Sequence, residues 1–206
     1  MNIADLEDLV ILHVPDASSV AIQHVLRHAV ARFMRESQIF TDQVCVELQC
    51  GVPEYLIDLP ECRQLVSVEK VVFGKDPHEL GMMEVRPVTT PKGWDWHRDS
   101  MHPILVVHDV PSKDGETAQV MYSWSIRRDD CDLPPELYEQ WAEAVKCAAL
   151  ADLFSMSKQE WGDPAMSRLY ENYYQVELDH AKARRWLNYS RGPLRIHSRP
   201  FLPCKR

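Results

Sequence analysis

The stretch that decides the fold is LPPELYEQWAEAVKCAALADLFSM (133–156), followed after a short connector by WGDPAMSRLYENYYQVELDHAKARR (161–185). Both segments place proline near their start, where its missing N–H costs a helix no hydrogen bond. Each then carries apolar residues at spacings of three and four, which is typical of a helix with one buried face. The sequence therefore predicts helices over residues 134–155 and 164–188, and the short connector predicts that they pair antiparallel.

A third helix near the N-terminus completes a predicted helical bundle. Residues 16–39 carry apolar side chains at helical spacing, and Asp16 and Ser18 are candidate N-caps. In the last helix, the apolar positions have the spacing of a helix-packing seam, and they are Met166, Leu169, Tyr173, Val176, His180, Ala183 and Leu187. Across the bundle, we expect packing by Phe33, Leu137, Trp141, Val145, Leu169, Tyr173 and Val176.

Between the first helix and the last two, the hydrophobic period changes from helical to alternating. The predicted strands are residues 43–49, 54–60, 63–73, 82–88, 103–110 and 117–126. Short strands at close spacing favour an antiparallel sheet or a small sandwich. The predicted fold class is therefore α+β: a helical bundle with an inserted antiparallel β domain and an extended C-terminal tail. Its parts are the N-terminal helical part (1–41), the inserted β domain (42–130), the C-terminal helix pair (131–188) and the basic tail (189–206).

Charge is divided unevenly along the chain. The net charge of −8 separates into +8 on residues 182–206, which hold no acid, and −16 on residues 1–181. An acidic body with a basic tail indicates two surfaces that face different partners. The basic end also carries Trp186, Tyr189 and Phe201, and such residues favour docking on a partner over solvation.

Composition also restricts the class of protein. No run of about 18 uncharged apolar residues occurs, so no transmembrane helix is expected. The acidic start of the chain does not have the basic region of a secretory signal. The six cysteines contain no CxxC pair, which argues against metal-finger spacing. Reduced thiols are expected in a protein assembled in the cytoplasm.

The sequence lacks the motifs of common catalytic chemistry. We find no GxSxG elbow, no HExxH motif, no phosphate-cradling glycine loop and no dinucleotide-binding fingerprint, so no enzyme activity, cofactor or metal is expected. The segment 94–102 is predicted to be a surface loop in which Trp94 and Trp96 contact the tail or a neighbour. The alternative is a metal site formed by Asp95, His97, Asp99 and His102. We expect His180 to be a packed or capped histidine rather than a catalytic base, and Cys147 to be a small buried residue.

Five segments together resemble the head–tail adaptor (connector) proteins of short-tailed bacteriophages, the podovirus group that includes tail tubular protein A-like subunits. The resemblance includes a Leu-Pro, acidic, aromatic helix start, a Trp-x-Asp-Pro start of the second helix, and a basic Arg-Gly-Pro-Leu-Arg tail. The segments are residues 6–37, 51–71, 133–156, 161–185 and SRGPLRIHSRPF (190–201). Residues 75–130 match the family least.

The resemblance implies a structural role at the head–tail junction of the virion. Members of this family form a twelve-subunit ring beneath the portal, with a C-terminal extension that reaches onto it, and the genome passes through the ring. The implied partners are the portal protein, neighbouring subunits of a homo-dodecameric ring, tail or nozzle proteins, and genomic DNA that crosses the lumen without sequence-specific binding. No membrane is involved.

The resemblance and the basic tail predict a set of portal-docking residues. They are Arg184, Arg185, Tyr189, Arg191, Pro193, Leu194, Arg195, Ile196, Arg199 and Phe201. Arginines can form bidentate pairs with carboxylates on a protein partner, and an acidic channel would repel phosphate and let DNA slide. The alternative function is a DNA-binding protein that uses the basic tail on phosphates and bases. That alternative accounts for the tail but not for the acidic body.

Overall fold

A computed structural model of the chain describes residues 3–74, 94–98, 103–107, 115–127 and 132–189. Its helices are a short 3-10 helix (Ile3–Leu6), α1 (Asp8–Ile11), α2 (Ser19–Ser37), α3 (Pro135–Phe154) and α4 (Pro164–Tyr189). Three long helices were predicted, and α2, α3 and α4 match them to within a few residues. Within the part of the chain described, every helix falls short of the length or apolarity that a membrane span requires.

The helix starts follow from local capping chemistry. Ser18 is the N-cap of α2, where its hydroxyl accepts a hydrogen bond from the Ala21 N–H at 3.3 Å. The Asp163 carboxylate does the same for α4, accepting from the N–H groups of Ala165 and Met166 at 2.8 and 3.2 Å. Each cap satisfies backbone donors that the first helical turn leaves without partners. Of the two candidate caps near the N-terminus, Ser18 rather than Asp16 caps the helix.

The two C-terminal helices run antiparallel. Near one end, the Phe154 ring stacks on Tyr170 with centroids 5.6 Å apart. Near the other, the Arg184 guanidinium lies 5.8 Å from the centre of the Trp141 ring. The end of α3 thus lies beside the start of α4, and the start of α3 beside the end of α4, as the short connector predicted.

The described strands form two three-stranded antiparallel sheets. One sheet has the order β1-β6-β3 and the other the order β2-β5-β4. The strands are β1 (Thr41–Leu48), β2 (Glu54–Leu56), β3 (Arg63–Gly74), β4 (Trp94–Arg98), β5 (Pro103–Val107) and β6 (Glu116–Ile126). The described residues form four α-helices and two antiparallel sheets, so the predicted α+β class is confirmed.

One strand prediction was wrong and another cannot be compared. Residues 94–98 were predicted as part of a surface loop, but they form β4, which pairs with β5 from Trp94–Val107 to Arg98–Pro103. Alternation of aromatic and polar residues at the start of WDWHR suits a strand. The predicted strand 82–88 lies outside the described residues.

Strand β6 connects the two hydrophobic cores. Ala118 and Val120 belong to a core between the two sheets, together with Tyr55 and Leu105. Further along the same strand, Tyr122, Trp124 and Ile126 belong to the main core. That core also contains residues of α2, α3 and α4. The core residues of β6 are thus every second residue from Ala118 to Ile126. The helices and the β1-β6-β3 sheet therefore share one core. The β2-β5-β4 sheet packs against the first half of β6, at Ala118 and Val120.

Candidate interaction surfaces

Helix α4 buries a different face from the one predicted. Its fully buried residues are Tyr174, Leu178 and Ala181. Leu169, Tyr173 and Val176 are 40%, 51% and 53% exposed, and Leu187 is 65% exposed. The other predicted packing residues, Phe33, Leu137, Trp141 and Val145, are buried.

The predicted packing seam was therefore wrong for Leu169, Tyr173 and Val176, and also for His180, whose side chain is 67% exposed. Helix α4 carries two apolar rows at helical spacing, and the sequence pattern selected the row that the described residues leave uncovered. We call the residues Leu169, Tyr173, Val176 and Leu187 the exposed α4 row.

A polar network fixes which row of α4 faces α2. The Arg32 guanidinium donates two hydrogen bonds to the Glu171 carboxylate, at 2.6 and 3.1 Å, and lies 4.4 Å from the centre of the Tyr174 ring. The Tyr174 hydroxyl donates to Glu36 at 2.7 Å, and Arg32 also donates to Glu36 at 3.1 Å. These contacts join α2 to α4 only when Tyr174, rather than Tyr173, points inward.

The network shifts the pKa values of Glu171 and Tyr174. The hydrogen bond from Arg32 lowers the pKa of Glu171, against burial, which raises it. Burial raises the pKa of Tyr174 far above its ordinary value, and the hydrogen bond to Glu36 adds to that rise. At neutral pH, Glu171 is thus a carboxylate paired with Arg32, and Tyr174 is a neutral phenol.

Replacing Arg32 with methionine is expected to lower the free energy of unfolding at pH 7 by about 1 kcal/mol, because water screens a pair whose Glu171 side chain is 37% exposed. Since the folded pKa of Glu171 lies below its ordinary value of 4.5, the stabilisation is present above that pH and is lost as the pH falls through the folded pKa. Urea unfolding at pH 7 and at about pH 3 should therefore show that Arg32→Met loses less unfolding free energy on acidification than the wild type does. Arg35→Met, an exposed arginine one turn away, is the control. If wild type and Arg32→Met lost the same unfolding free energy between pH 7 and about pH 3, the Arg32–Glu171 pair would not be the source of the stabilisation.

The end of α4 contains the first predicted portal-docking residues. Arg185 donates hydrogen bonds to Gln38 at 2.7 Å and to Glu69, whose side chain is 8% exposed. Arg185 is thus engaged within the chain, and the structure gives it a role in joining α4 to β3. Arg184 is exposed, and Tyr189 is the last residue of α4. The remaining predicted docking residues, Arg191, Pro193, Leu194, Arg195, Ile196, Arg199 and Phe201, lie outside the described residues.

A groove of about 590 Å³ lies where the starts of β1, β3 and α3 meet near the end of β6. Its apolar wall includes Phe40, Trp124, Leu133, Pro134 and Pro135, and its charged residues are Arg63, Asp42, Asp132 and Glu136. The Arg63 guanidinium stacks 4.2 Å from the centre of the Trp124 ring and hydrogen-bonds Asp42. Burial works to raise the pKa of Asp42, but the hydrogen bond from Arg63 leaves it below its ordinary value. We call this feature the α3-start groove.

One cysteine in this region, Cys62, departs from the prediction of reduced thiols. Cys62 lines the α3-start groove and is disulfide-bonded. Among the described cysteines, Cys45 and Cys147 are free thiols. Cys147 is buried on α3, where burial raises the pKa of its thiol to about 11, so it is the small buried residue that was expected.

A second, smaller pocket of about 290 Å³ is lined by cationic and imidazole side chains. His24, Arg27, His28 and Arg35 come from one face of α2, and Arg127 follows β6. The His24 and His28 rings meet edge to face with centroids 4.7 Å apart. We call this feature the α2 cationic pocket. Three guanidiniums around one cavity favour an anionic group as its occupant.

The described residues do not support the alternative of a metal site at residues 94–102. Within residues 3–74 and the later described segments, no group of three or more histidine, cysteine or acidic side chains could hold a metal ion. Asp99 and His102 lie outside the described residues. For Trp94 and Trp96, the structure defines the backbone of β4 and its pairing with β5.

Sequence reasoning missed both cavities. The α3-start groove is formed by four segments far apart in the sequence, so no local pattern marks it. The α2 cationic pocket had a partial signal, because His24, Arg27, His28 and Arg35 recur at helical spacing.

No protein-family model matches the chain, and no curated protein matches it.

Proposed function

We propose that this protein is a structural virion protein, a head-to-tail adaptor whose ring docks on the portal of a short-tailed bacteriophage. In this role it links the capsid to the tail and forms part of the channel for genome retention and ejection. The role needs no catalytic residue, cofactor or metal. It operates at the head–tail junction of a virion assembled in the host cytoplasm.

The exposed α4 row is the observation that carries the proposal. Four large apolar side chains on one helix remain 40–65% exposed, while the opposite row of the same helix is held in the core by the Arg32 network. A row of this kind is typical of a surface that a protein partner covers. In a ring, the neighbouring subunit is that partner, and a head-to-tail contact that closes on itself generates the ring.

The charge distribution supports the same role. Residues 182–206 carry +8 and begin at the exposed end of α4, while residues 1–181 carry −16. A cationic, arginine-rich segment suits an acidic protein surface such as a portal clip. An acidic body suits a conduit, since it repels the phosphates of passing DNA. A single segment would bind weakly, but twelve segments on one ring gain through effective concentration.

The first test is co-sedimentation of the full chain with the cognate portal after nuclease treatment. We expect binding that survives nuclease and that falls at least about tenfold when Arg191, Arg195 and Arg199 are all replaced with alanine. Replacing the same three residues with lysine keeps the charge but removes bidentate pairing, so an intermediate loss is expected. Lys182→Ala, a cation outside the docking set, is the control. Binding that nuclease abolishes, or that the alanine variant retains, would overturn the proposal.

A DNA-binding protein is the second candidate, and the α2 cationic pocket is the observation that favours it. Its three arginines could contact phosphates, and such contacts make affinity fall steeply with salt. This candidate predicts a mobility shift of free duplex that weakens between about 50 and 200 mM salt. It also predicts that Arg27→Ala and Arg35→Ala reduce the shift. The adaptor proposal predicts no such specific shift, so the two functions are separable with one gel.

A further inference from the structure

The α3-start groove has the shape and chemistry of a peptide site. Its floor and sides contain the rings of Phe40 and Trp124, whose centroids are 6.1 Å apart, and the adjacent prolines Pro134 and Pro135. Along its edge lie three carboxylates, Asp42, Asp132 and Glu136, and one guanidinium, Arg63. An apolar trough with an excess of negative charge suits a segment that alternates arginine with apolar residues.

The described chain ends beside this groove. Arg185, in the last turns of α4, hydrogen-bonds Gln38 at 2.7 Å, and the next two residues after Gln38 line the groove. Arg184 lies over Trp141, less than two turns along α3 from Pro135. Seventeen residues, 190–206, follow α4, and that length can span up to about 55 Å. The last turns of α4 therefore contact residues beside the groove, and the segment that follows them is long enough to reach it.

The composition of residues 190–206 complements the groove. The segment holds five cationic residues and no acid, against the three carboxylates and one guanidinium of the groove. Its apolar residues Leu194, Ile196, Phe201 and Leu202 match the aromatic and proline wall. The N-terminal dipole of α3 would oppose a cation at this place, but the first-turn carboxylate of Glu136 offsets it.

We propose that residues 190–206 dock intramolecularly in the α3-start groove, so that the groove is a latch for the basic tail of the same chain. An arginine side chain of the segment pairs with the exposed carboxylate of Glu136, and apolar side chains of the segment cover Pro134 and Pro135 beside the buried rings of Phe40 and Trp124. Tethering makes even a weak contact effective. With an effective concentration of about 1 mM and a Kd of about 0.1 mM, about nine in ten chains are latched. The contact stands whether or not the chain is an adaptor; in an adaptor, a portal would compete with the groove for the tail.

Trypsin sensitivity of the full chain tests the latch. Trypsin cleaves after Arg191 and Arg195, and a synthetic peptide of residues 186–206 gives the rate for an undocked segment. When docking is fast, cleavage follows the population of the open form. We therefore expect the full chain to be cleaved at these two sites about tenfold more slowly than the peptide.

Two matched charge reversals locate the contact. Glu136→Lys places a cation in the groove and is expected to raise the cleavage rate to that of the peptide. Glu139→Lys makes the same charge change at an exposed position of α3 outside the groove, and the rate should stay within about twofold of wild type. Both positions are exposed, and far-ultraviolet circular dichroism checks that both variants fold.

Each other outcome overturns the latch. Cleavage of the wild-type chain at the rate of the peptide would show that the segment is not docked. Equal acceleration by Glu136→Lys and Glu139→Lys would show attraction to the acidic body in general rather than to the groove. Protection that rises between about 1 and 100 μM protein would show that a second copy occupies the groove, since an intramolecular contact is independent of concentration. None of these readouts involves a portal, so failure of the latch and failure of the adaptor proposal are distinguishable.

Discussion

Replacing Tyr174 with alanine is expected to lower the free energy of unfolding by about 4 kcal/mol, whereas Tyr173→Ala should lower it by less than about 1 kcal/mol. The two residues are neighbours with identical side chains, but Tyr174 is fully buried and Tyr173 is 51% exposed. The alanine at 174 opens a cavity and removes the hydroxyl that donates to Glu36. At 173, the loss is an edge contact with the Tyr170 ring, 6.2 Å away.

Urea unfolding of the three proteins measures the two costs. Tyr174→Phe keeps the ring and removes only the hydroxyl, so a cost of about 1–1.5 kcal/mol is expected, between those of the two alanine variants. Similar costs for Tyr173→Ala and Tyr174→Ala would mean that α4 buries both rows equally. A larger cost at Tyr173 would mean that the helix is rotated toward the face that the sequence pattern selected.

The elements of the fold were predictable because their signals are local. Proline and capping residues mark the starts of α3 and α4, and Ser18 marks that of α2. Alternation marks β1, β3 and β6, whose observed bounds differ from the predicted ones by only a few residues. Propensity, capping and hydrophobic period act over a few residues and can be recognised without tertiary structure.

The rotation of α4 was not predictable because two rows satisfy the same spacing rule. Leu169, Tyr173 and Val176 form the more apolar row, so a pattern based on hydrophobicity selects it. The chain buries the row of Tyr174 and Leu178 instead, and the reason lies in Arg32 on another helix. Contacts between residues 139 positions apart leave no trace in the local pattern of either helix.

The candidate sites show the same limit. The docking surface that includes Arg184 was predicted from the family resemblance and the basic tail, yet Arg185 of that set hydrogen-bonds Gln38 and Glu69. The α3-start groove forms only because the starts of β1, β3 and α3 meet near the end of β6. Charge and composition indicate that a segment binds something, but the shape that receives it is a property of the folded chain.

If the chain is the proposed adaptor, replacing Val176 with glutamate is expected to lower its apparent affinity for the portal by about 10²–10⁴-fold. Val176 lies at the middle of the exposed α4 row and is 53% exposed, so the variant should fold with nearly wild-type stability. In the ring, the same position would be covered by the neighbouring subunit, and an unpaired carboxylate buried there is costly. Without lateral contacts, each subunit depends on its own tail, and the gain from multivalency is lost.

Mass photometry of portal mixed with each variant measures the result directly. Wild-type subunits should give complete rings on the portal, and Val176→Glu should leave portal rings bare or partly occupied at the same protein concentration. Val20→Glu makes the same substitution at a valine of α2 that is 79% exposed and lies outside the row, so it should assemble as wild type does. Complete rings from Val176→Glu would exclude the exposed α4 row from the subunit contact. Because the tail is unchanged in both variants, a defect confined to Val176→Glu separates lateral assembly from portal docking.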